Sequence, residues 1–408
     1  MRKNVNVLSL LICFQLLFLQ GCAYGNLGGI YGEEAEIETT EQEETKASEA
    51  KVENIVSADE MMTVEQEADG EEGKKETFDN CYYYEQLSEN QKEIYRQVYR
   101  SLLQRNEVAV GTLSTEELDK IYTCVLNDHP EIFYTDSYMC VSHSIDDTLV
   151  KLSFEGQYIY DEEECEDRLL RIEEEAGRIL EGIPEDSGDF EKIKYIFDVL
   201  VNETEYNMDA EDNQNICSVF LGHESTCQGY AKATQYLLNK AGIYTTLVSG
   251  NVSGGSHAWN LVMSDGAWYY LDTTWGDVDY QSQQGETVEK TVMPINYDYF
   301  LINSDRLYET HTPGKLVAFP DCVATADNYY VHEGLYLTGL DTEVLHGIFQ
   351  RAYERGDTVV QFQCSNDAVF KQVADYLLEE QHIFDFVDTL DAVPYYDNPE
   401  TDTFCFWL

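Results

Sequence analysis

Residues 225–275 decide the fold and read STCQGYAKATQYLLNKAGIYTTLVSGNVSGGSHAWNLVMSDGAWYYLDTTW. Apolar side chains recur at helical spacing between positions 230 and 241, and Gly242 suits the left-handed conformation in which helices commonly end. Two runs rich in aromatic and β-branched residues then flank Asp265-Gly266, a pair typical of two-residue hairpin turns. This pattern predicts a helix that begins near Cys227 and a sheet that follows it.

The predicted sheet consists of a strand at 244–250, a Gly-rich loop at 251–256 and a hairpin. A two-residue hairpin turn places Trp259 opposite Asp272 on neighbouring strands. His257 precedes Trp259 by two residues, so it lies on the same face of the sheet, diagonal to Asp272. That separation is within reach of polar side chains. The sequence therefore predicts a contact between an imidazole and a carboxylate.

Cys227, His257 and Asp272 have the properties of a nucleophile, a base and an orienting carboxylate. A cysteine reacts as its thiolate, which the positive end of a helix dipole and a nearby imidazolium both favour. A carboxylate on one imidazole nitrogen fixes the tautomer, so that the other nitrogen can face the thiol. Taken alone, each residue more often has a structural role: a small buried thiol, a satisfied core histidine and a turn cap. Their occurrence together favours catalysis.

Three blocks of this stretch resemble the bacterial transglutaminase-like superfamily, in its lipoprotein form: STCQGYA at 225–231, HAWN at 257–260 and WYYLDTTW at 268–275. The resemblance implies an α+β fold with a papain-like core, in which the nucleophile helix packs on an antiparallel sheet. It also implies that Cys227 attacks an amide carbonyl, that His257 shuttles the proton and that Asp272 orients His257. An amine or water would then resolve the thioester.

The donors that would stabilise the oxyanion are less clearly marked. Papain-like proteases place a glutamine six residues before the nucleophile, and here that position is Leu221. The backbone N–H of Cys227 is therefore expected to act with a second donor. Candidates for that donor, or for a substrate contact, are Gln228, Trp259 and Trp275. The two tryptophans are equally consistent with core packing.

Two further histidines, His223 and His311, could approach a cleft, but the predicted sheet places no carboxylate beside either of them. We expect surface or packing roles for both. The nine cysteines that follow Cys22 include no CxxC pair or other metal-like cluster, so no structural zinc site and no metal ligands are predicted. The motifs imply no organic cofactor.

The first 22 residues have the features of a lipoprotein signal peptide. Two basic residues precede a mostly apolar run at 7–19, which is shorter than the roughly 20 residues that span a membrane. The sequence Leu19-Gln20-Gly21-Cys22 resembles a lipobox, in which the cysteine is lipidated and becomes the new N-terminus. An ordinary cleaved signal peptide is the alternative. Lipidation of Cys22 would anchor the chain at the extracellular face of a bacterial membrane.

Residues 23–79 are predicted to form a disordered acidic tether, because positions 33–79 contain 18 Asp or Glu residues against four Lys and a single aromatic residue. Three parts are expected to follow: a mixed helical N-terminal region at 80–188, a transglutaminase-like catalytic domain at 189–310 and a small α/β domain at 325–408. Helices are predicted at 89–104, 162–181, 189–201, 342–355 and 366–380, the first with a capping box at Ser88 and Gln91. Strands are predicted at 150–160 and 358–363.

A formal net charge of −53 makes nucleic acid a poor partner and favours a cationic or neutral polypeptide. We interpret the sequence as a surface-anchored thiol acyltransferase or hydrolase that acts on peptide or protein amide bonds. One alternative is a cysteine protease proper, which differs in whether water or an amine reaches the thioester. Another is a catalytically inert domain that binds peptide or glycan at the cell surface.

Overall fold

The structure is a computed structural model that describes residues 10–11, 77–146, 148–277, 295–387 and 393–408. The predicted signal peptide, with its lipidation site Cys22, and the predicted tether lie almost entirely outside these ranges, so both stay predictions. Asn80–Leu408 belongs to one compact unit, and the divisions near positions 189 and 325 stay predictions. Within the described ranges, no helix has the length and apolar character needed to cross a membrane.

The N-terminal region packs helices against a long hairpin. The predicted capping box is confirmed, because the Ser88 hydroxyl accepts the N–H of Gln91 and the Gln91 side chain accepts the N–H of Ser88. The helices are α1 (Tyr82–Glu85), α2 (Glu89–Gln104) and α3 (Thr115–Asp128). The strands are β1 (Leu10–Leu11), β2 (Val108–Val110), β3 (Thr135–Ile145) and β4 (Thr148–Tyr158), in the sheet order β1-β3-β4-β2. The sequence pattern predicts β4 but not β3, whose composition is largely polar.

Two helices cover one side of the central region. They are α4 (Glu162–Glu181) and α5 (Asp189–Glu203), which confirm the predictions for these segments. Their apolar faces contribute Ile172, Ile193 and Phe197 to the largest hydrophobic core. Two short strands, β5 (Glu205–Tyr206) and β6 (Glu224–Ser225), pair in parallel, with a π-helical turn at Ser218–Gly222 between them in sequence. They lead directly into the next helix.

That helix, α6 (Cys227–Lys240), packs on an antiparallel sheet, which confirms the predicted α+β arrangement. The strands are β7 (Thr245–Val252), β8 (Gly255–Ser264), β9 (Ala267–Leu271) and β10 (Thr312–Pro313), in the order β10-β7-β8-β9. Asp265 and Gly266 both have positive φ, at 47° and 79°, as a type I′ turn requires. The short helices α7 (Thr273–Gly276) and α8 (Ser304–Leu307) follow.

The prediction of a Gly-rich loop at 251–256 is wrong. β7 and β8 continue through this segment, and Val252 pairs with Gly255, so that only Ser253-Gly254 forms the turn. The ladder extends because paired backbone groups on the neighbouring strand outweigh the low strand preference of glycine. His257 therefore lies inside a rigid strand.

The C-terminal part forms a small sheet covered by helices, around a core of its own that includes Leu345, Phe362 and Phe404. Its helices are α9 (Tyr329–His332), α10 (Thr342–Arg355) and α11 (Asp367–Ala374), the last continued by a π-helical turn (Asp375–Glu379) and a 3-10 helix (His382–Asp385). Its strands are β11 (Tyr336–Leu337), β12 (Val359–Cys364), β13 (Tyr395–Asn398) and β14 (Thr403–Trp407), in the order β11-β12-β14-β13. The predicted elements near 342, 358 and 366 are confirmed.

A buried carboxylate joins this sheet to the central region. Asp298 is 3% exposed and accepts hydrogen bonds from the hydroxyls of Tyr330, Thr401 and Thr403, at 2.8, 2.5 and 2.8 Å. Burial raises the pKa of Asp298, and the three hydroxyls offset part of that effect. Thr401, in the turn between β13 and β14, and Thr403, the first residue of β14, are thus held against the central region.

Candidate active site

Cys227 is the first residue of α6 and is 8% exposed. It belongs to a small apolar cluster with Ala231, Leu247 and Ala258. Leu247 lies on β7 and Ala258 on β8, so the start of the helix meets the sheet at the residue next to His257. The nine described cysteines are buried thiols, and no disulfide joins any of them.

The residue before Cys227 holds the helix start without capping it. Thr226 occupies the N-cap position, but its side chain makes no hydrogen bond to the helix. Its hydroxyl donates to the Asn213 carbonyl at 2.7 Å and accepts from the Gln214 amide at 2.9 Å. Thr226 therefore does not cap the first N–H groups of α6, which include the expected oxyanion donor on Cys227. Such groups can stabilise a developing negative charge.

His257 and Asp272 form a buried hydrogen-bonded pair. Nε2 of His257 lies 2.7 Å from Oδ2 of Asp272, and the two residues are 3% and 1% exposed. His257 pairs with Gly250 across β7 and β8, and Asp272 directly follows Leu271, the last residue of β9, which pairs with Asn260. The diagonal arrangement expected from the hairpin register brings the two side chains together.

Asp272 uses its two carboxylate oxygens differently. Oδ1 accepts the backbone N–H of Trp275 at 3.2 Å and caps α7, while Oδ2 meets His257. Asp272 therefore caps the turn and also contacts His257, as an orienting role requires, and that role stays a prediction. Burial by itself raises the pKa of this carboxyl, but the charge and hydrogen bond of His257, followed by those of His311, hold its pKa well below the usual range. Asp272 is an anion at physiological pH.

His311 also contacts Asp272, so the expectation that no carboxylate lies beside this histidine is wrong. Its Nε2 is 3.1 Å from Oδ2 of Asp272, its Nδ1 is 2.8 Å from the Thr310 hydroxyl, and it is 1% exposed. Burial lowers the pKa of His311 more than its hydrogen bond to Asp272 raises it. A neutral imidazole thus bridges Thr310 and Asp272. His223, in contrast, is exposed, as expected.

No local signal marks His311 in the sequence, because it lies 39 residues from Asp272. The segment reaches the site through β10, where Thr312 and Pro313 pair with Asn251 and Gly250 of β7. This close approach requires glycine at position 250, since a Cβ there would lie 2.3 Å from the Thr312 carbonyl oxygen. The combination of Gly250 with the Thr312-Pro313 pair could have suggested a closing strand.

Two tryptophans enclose the histidines. Trp259 is fully buried, with its ring centroid 6.0 Å from His257 and 4.8 Å from His311, and Trp275 lies 5.7 and 4.6 Å from the same rings. Both therefore pack as aromatic walls. Among the described residues nothing accepts a hydrogen bond from Nε1 of Trp259, which is buried, so the role of this indole as an oxyanion or substrate donor stays a prediction. Gln228 is partly exposed at the second position of α6.

His257, Asp272 and His311 could also hold a metal ion, because their ligand atoms lie within 4.8 Å of one another. Two imidazoles and a carboxylate are common zinc ligands. Hydrogen bonds already account for both short distances to Oδ2 of Asp272. A metal would also occupy Nε2, the nitrogen of His257 that contacts Asp272. Metal binding and thiol-imidazole chemistry are therefore competing uses of this site.

Residues 176–273 match the family described as the transglutaminase-like superfamily. The chain contains a transglutaminase-like domain. The matched range contains Cys227, His257 and Asp272, together with α5, α6 and the three longest strands of the central sheet. His311 lies outside the matched range of the transglutaminase-like domain.

Two curated relatives of the transglutaminase-like domain are named kyphoscoliosis peptidase, and both are 25% identical to the chain. The mouse protein matches over 174 residues, which are 37% of this chain and 25% of the relative. The human protein matches over 167 residues, with shares of 36% and 24%. The chain thus spans about a quarter of the length of these relatives. A solved structure described as a TGase covers 39% of this chain and 53% of its own, with 16% identity and a TM-score of 0.25.

Proposed function

We propose that the transglutaminase-like domain is a thiol acyltransferase or hydrolase that acts on peptide or protein amide bonds. In this proposal Cys227 is the nucleophile, His257 the base and Asp272 the group that orients the base. One observation carries it: the buried 2.7 Å contact between His257 and Asp272 lies beside Ala258, which packs against Cys227 at the start of α6.

The proposed reaction follows from this arrangement. With Asp272 on Nε2, His257 keeps Nδ1 as the basic nitrogen that takes the proton of the Cys227 thiol. The thiolate attacks the amide carbonyl, the C–N bond breaks, and the leaving amine takes the proton from His257 while the thioester forms. An amine or water then gives a proton to His257, attacks the thioester and releases the thiol. The N–H groups at the start of α6 stabilise the oxyanion in both steps.

Hydrolysis is the second outcome of the same chemistry, and the name of the two relatives, kyphoscoliosis peptidase, supports it. The aromatic walls of Trp259 and Trp275 support the first outcome, because limited access of water favours transfer to an amine. A glutamine peptide separates the two. Ammonia release without incorporation of a supplied primary amine would indicate hydrolysis, and incorporation of the amine would indicate transfer.

The first test compares two thiols within one protein. The reduced full chain is treated with limiting iodoacetamide between about pH 5 and pH 9, and each cysteine is mapped by mass spectrometry. We expect Cys227 to react at least about tenfold faster than Cys81 and to remain reactive towards acidic pH, because only an activated thiol is a thiolate there. The variant His257→Ala should remove this advantage. Equal labelling of Cys227 and Cys81 would favour the inert domain that binds peptide or glycan.

We further propose that Cys22 is lipidated and anchors the chain at the extracellular face of a bacterial membrane. The apolar run and the Leu19-Gln20-Gly21-Cys22 sequence support this proposal. Partition of the expressed chain into a detergent phase, compared with the variant Cys22→Ala, provides the test. Equal partition of the two proteins would reject lipidation at this residue.

A further inference from the structure

A cleft of about 1180 Å³ lies between the transglutaminase-like domain and the C-terminal sheet, and we call it the acidic cleft. Trp275, Tyr299 and Thr310 line it on the side of the candidate active site. Trp275 is 5.7 Å from the His257 ring, and the Thr310 hydroxyl is 2.8 Å from Nδ1 of His311. The acidic cleft is therefore separated from the histidines by a single layer of side chains.

The lining of the acidic cleft has a strong excess of negative charge. Its carboxylates are Asp305, Glu309, Asp367, Asp397, Glu400 and Asp402. Among the described residues of the lining the one cationic side chain is Arg306, which lies 2.5 Å from the Glu309 carboxylate and whose charge also acts on Asp402. The other five carboxylates have no basic side chain within ion-pair distance in the described part of the chain. A concave wall of one sign concentrates ligands of the opposite charge.

Asp402 provides an independent indication of a ligand. It is 7% exposed and lines the acidic cleft, and among the described residues nothing donates a hydrogen bond to its buried Oδ1. Its backbone has φ 56°, and its carbonyl accepts the N–H of Cys364 at 2.8 Å. The neighbouring Thr401 and Thr403 are both bonded to Asp298. The turn thus holds the backbone of Asp402 in place, and a buried acceptor such as its Oδ1 is costly unless a ligand supplies a donor.

We propose that the acidic cleft binds a basic polypeptide segment, with Asp402 receiving a lysine or arginine side chain. This proposal rests on the proposed function and names its substrate class. The cleft exceeds the roughly 300–1,000 Å³ of small-ligand pockets and is far larger than a single cation requires. Amide and aromatic side chains, among them Asn296, Asn328 and Tyr396, alternate with the carboxylates in its lining. Such a mixture suits peptide backbone and side chains together.

The test measures binding in the full chain carrying Cys227→Ala, so that turnover does not interfere. The probe is a fluorescent octapeptide with three lysines among glycine and serine, and its control is the same peptide with each lysine acetylated, which removes the charge. We expect the lysine peptide to bind about tenfold more tightly, and the preference to shrink as salt is raised from about 50 to 500 mM. Asp402→Asn should weaken the binding of the lysine peptide by about tenfold.

Glu166→Gln is the matched control, since it removes one negative charge from an exposed position of α4 outside the acidic cleft. It should leave both affinities unchanged. Asparagine tolerates the left-handed backbone of position 402, and Asp397→Asn provides a second cleft variant if the first is unstable. Equal binding of the two peptides, or equal effects of Asp402→Asn and Glu166→Gln, would overturn the proposal. So would saturable Ca²⁺ binding that depends on Asp402 without any binding of the lysine peptide.

These results are independent of the thiol chemistry. Charge-selective binding in a chain whose Cys227 is not activated would reject the proposed function and leave the basic ligand in place. An active enzyme that binds both peptides equally would reject the ligand class alone.

Discussion

Among the residues that the structure describes, a cysteine, a histidine and a carboxylate come together at the candidate active site and at an N-terminal cluster formed by Cys81, His129 and Glu131. In the N-terminal cluster, Sγ of Cys81 is 4.0 Å from Nε2 of His129, and Nδ1 of His129 is 2.9 Å from the Glu131 carboxylate. The residue types are therefore the same in both places. Their surroundings differ, and under the proposed function these surroundings decide which of the two thiols can be activated.

The thiol of the N-terminal cluster is held in its neutral form. Burial raises the pKa of Cys81, and the charges of Asp128 and Glu131 raise it further. Cys81 precedes a helix of four residues, whereas Cys227 begins a helix of 14 residues. Only the longer helix has a substantial dipole to stabilise a thiolate.

The orienting carboxylates differ just as clearly. Asp272 is 1% exposed and meets two histidines through one oxygen. The side chain of Glu131 is 40% exposed, so water screens its effect on His129. Proximity of the three residue types is thus insufficient. The carboxylate on the far side of the histidine must be buried, and a second carboxylate such as Asp128 must not act on the thiol, because negative charge near a thiol disfavours the thiolate.

The sharpest test of this comparison replaces each cysteine in turn. We expect Cys227→Ala to reduce kcat/KM for a glutamine peptide by at least about 10⁴-fold, because the covalent step is lost. Cys81→Ala should remain within about twofold of the unmodified protein, since a neutral buried thiol contributes only packing. Ammonia release provides the measurement. Comparable losses in the two variants would show that the N-terminal cluster takes part.

The next largest effect concerns the carboxylates. Asp272→Asn should lower kcat by about 10²- to 10⁴-fold, because the amide no longer fixes the tautomer of His257. Unfolding by urea should show a stability loss of about 3 kcal/mol, the usual consequence of breaking a buried pair. Glu131→Gln, the matched control on an exposed carboxylate, should cost less than about 1 kcal/mol and leave kcat unchanged.

A smaller effect is expected at His311, which positions Asp272 without meeting the thiol. His311→Phe keeps a planar ring but removes the nitrogen that lies 3.1 Å from Asp272. We expect kcat to fall about tenfold with little change in KM, because one hydrogen bond to an anion is lost. His311→Gln, which retains a side-chain amide donor, should recover most of the activity. A rise in KM in both variants would point to direct contact of His311 with the substrate.

The pH dependence of stability separates the two regions without any activity measurement. Burial raises the pKa of Asp128, beside the N-terminal cluster, to about 7. The folded state then binds more protons than the unfolded state between about pH 4 and pH 7, so stability falls as the pH rises, by at most about 1.4 kcal/mol per unit. The lowered pKa of Asp272 acts with the opposite sign. Its contribution is present above about pH 4 and is lost as the pH falls below that value.

Thermal unfolding between about pH 3 and pH 8 provides the check. Asp128→Asn should flatten the decline between pH 4 and pH 7, and Asp272→Asn should remove part of the loss below pH 4. An unchanged slope in Asp128→Asn would mean that this carboxylate is already ionised at low pH. Neither result depends on the acyl-transfer proposal.

Local patterns predicted a large part of this molecule. The capping box at Ser88, the helix that begins at Cys227 and the turn at Asp265-Gly266 all form as expected. Each depends on hydrogen bonds or backbone angles within a few residues, so local sequence patterns predict it. The hairpin register also placed His257 near Asp272, because strand pairing on both sides of a two-residue turn leaves a single alignment.

Tertiary structure alone decided what surrounds that pair. The sequence by itself determined a helix, a hairpin and three reactive side chains in a predictable order. Only the return of the chain through β10 placed His311 on Asp272, and only the docking of the C-terminal sheet created the acidic cleft and the buried oxygen of Asp402. These contacts join residues far apart in sequence, and their free energy comes from burial and packing, which no local spacing encodes.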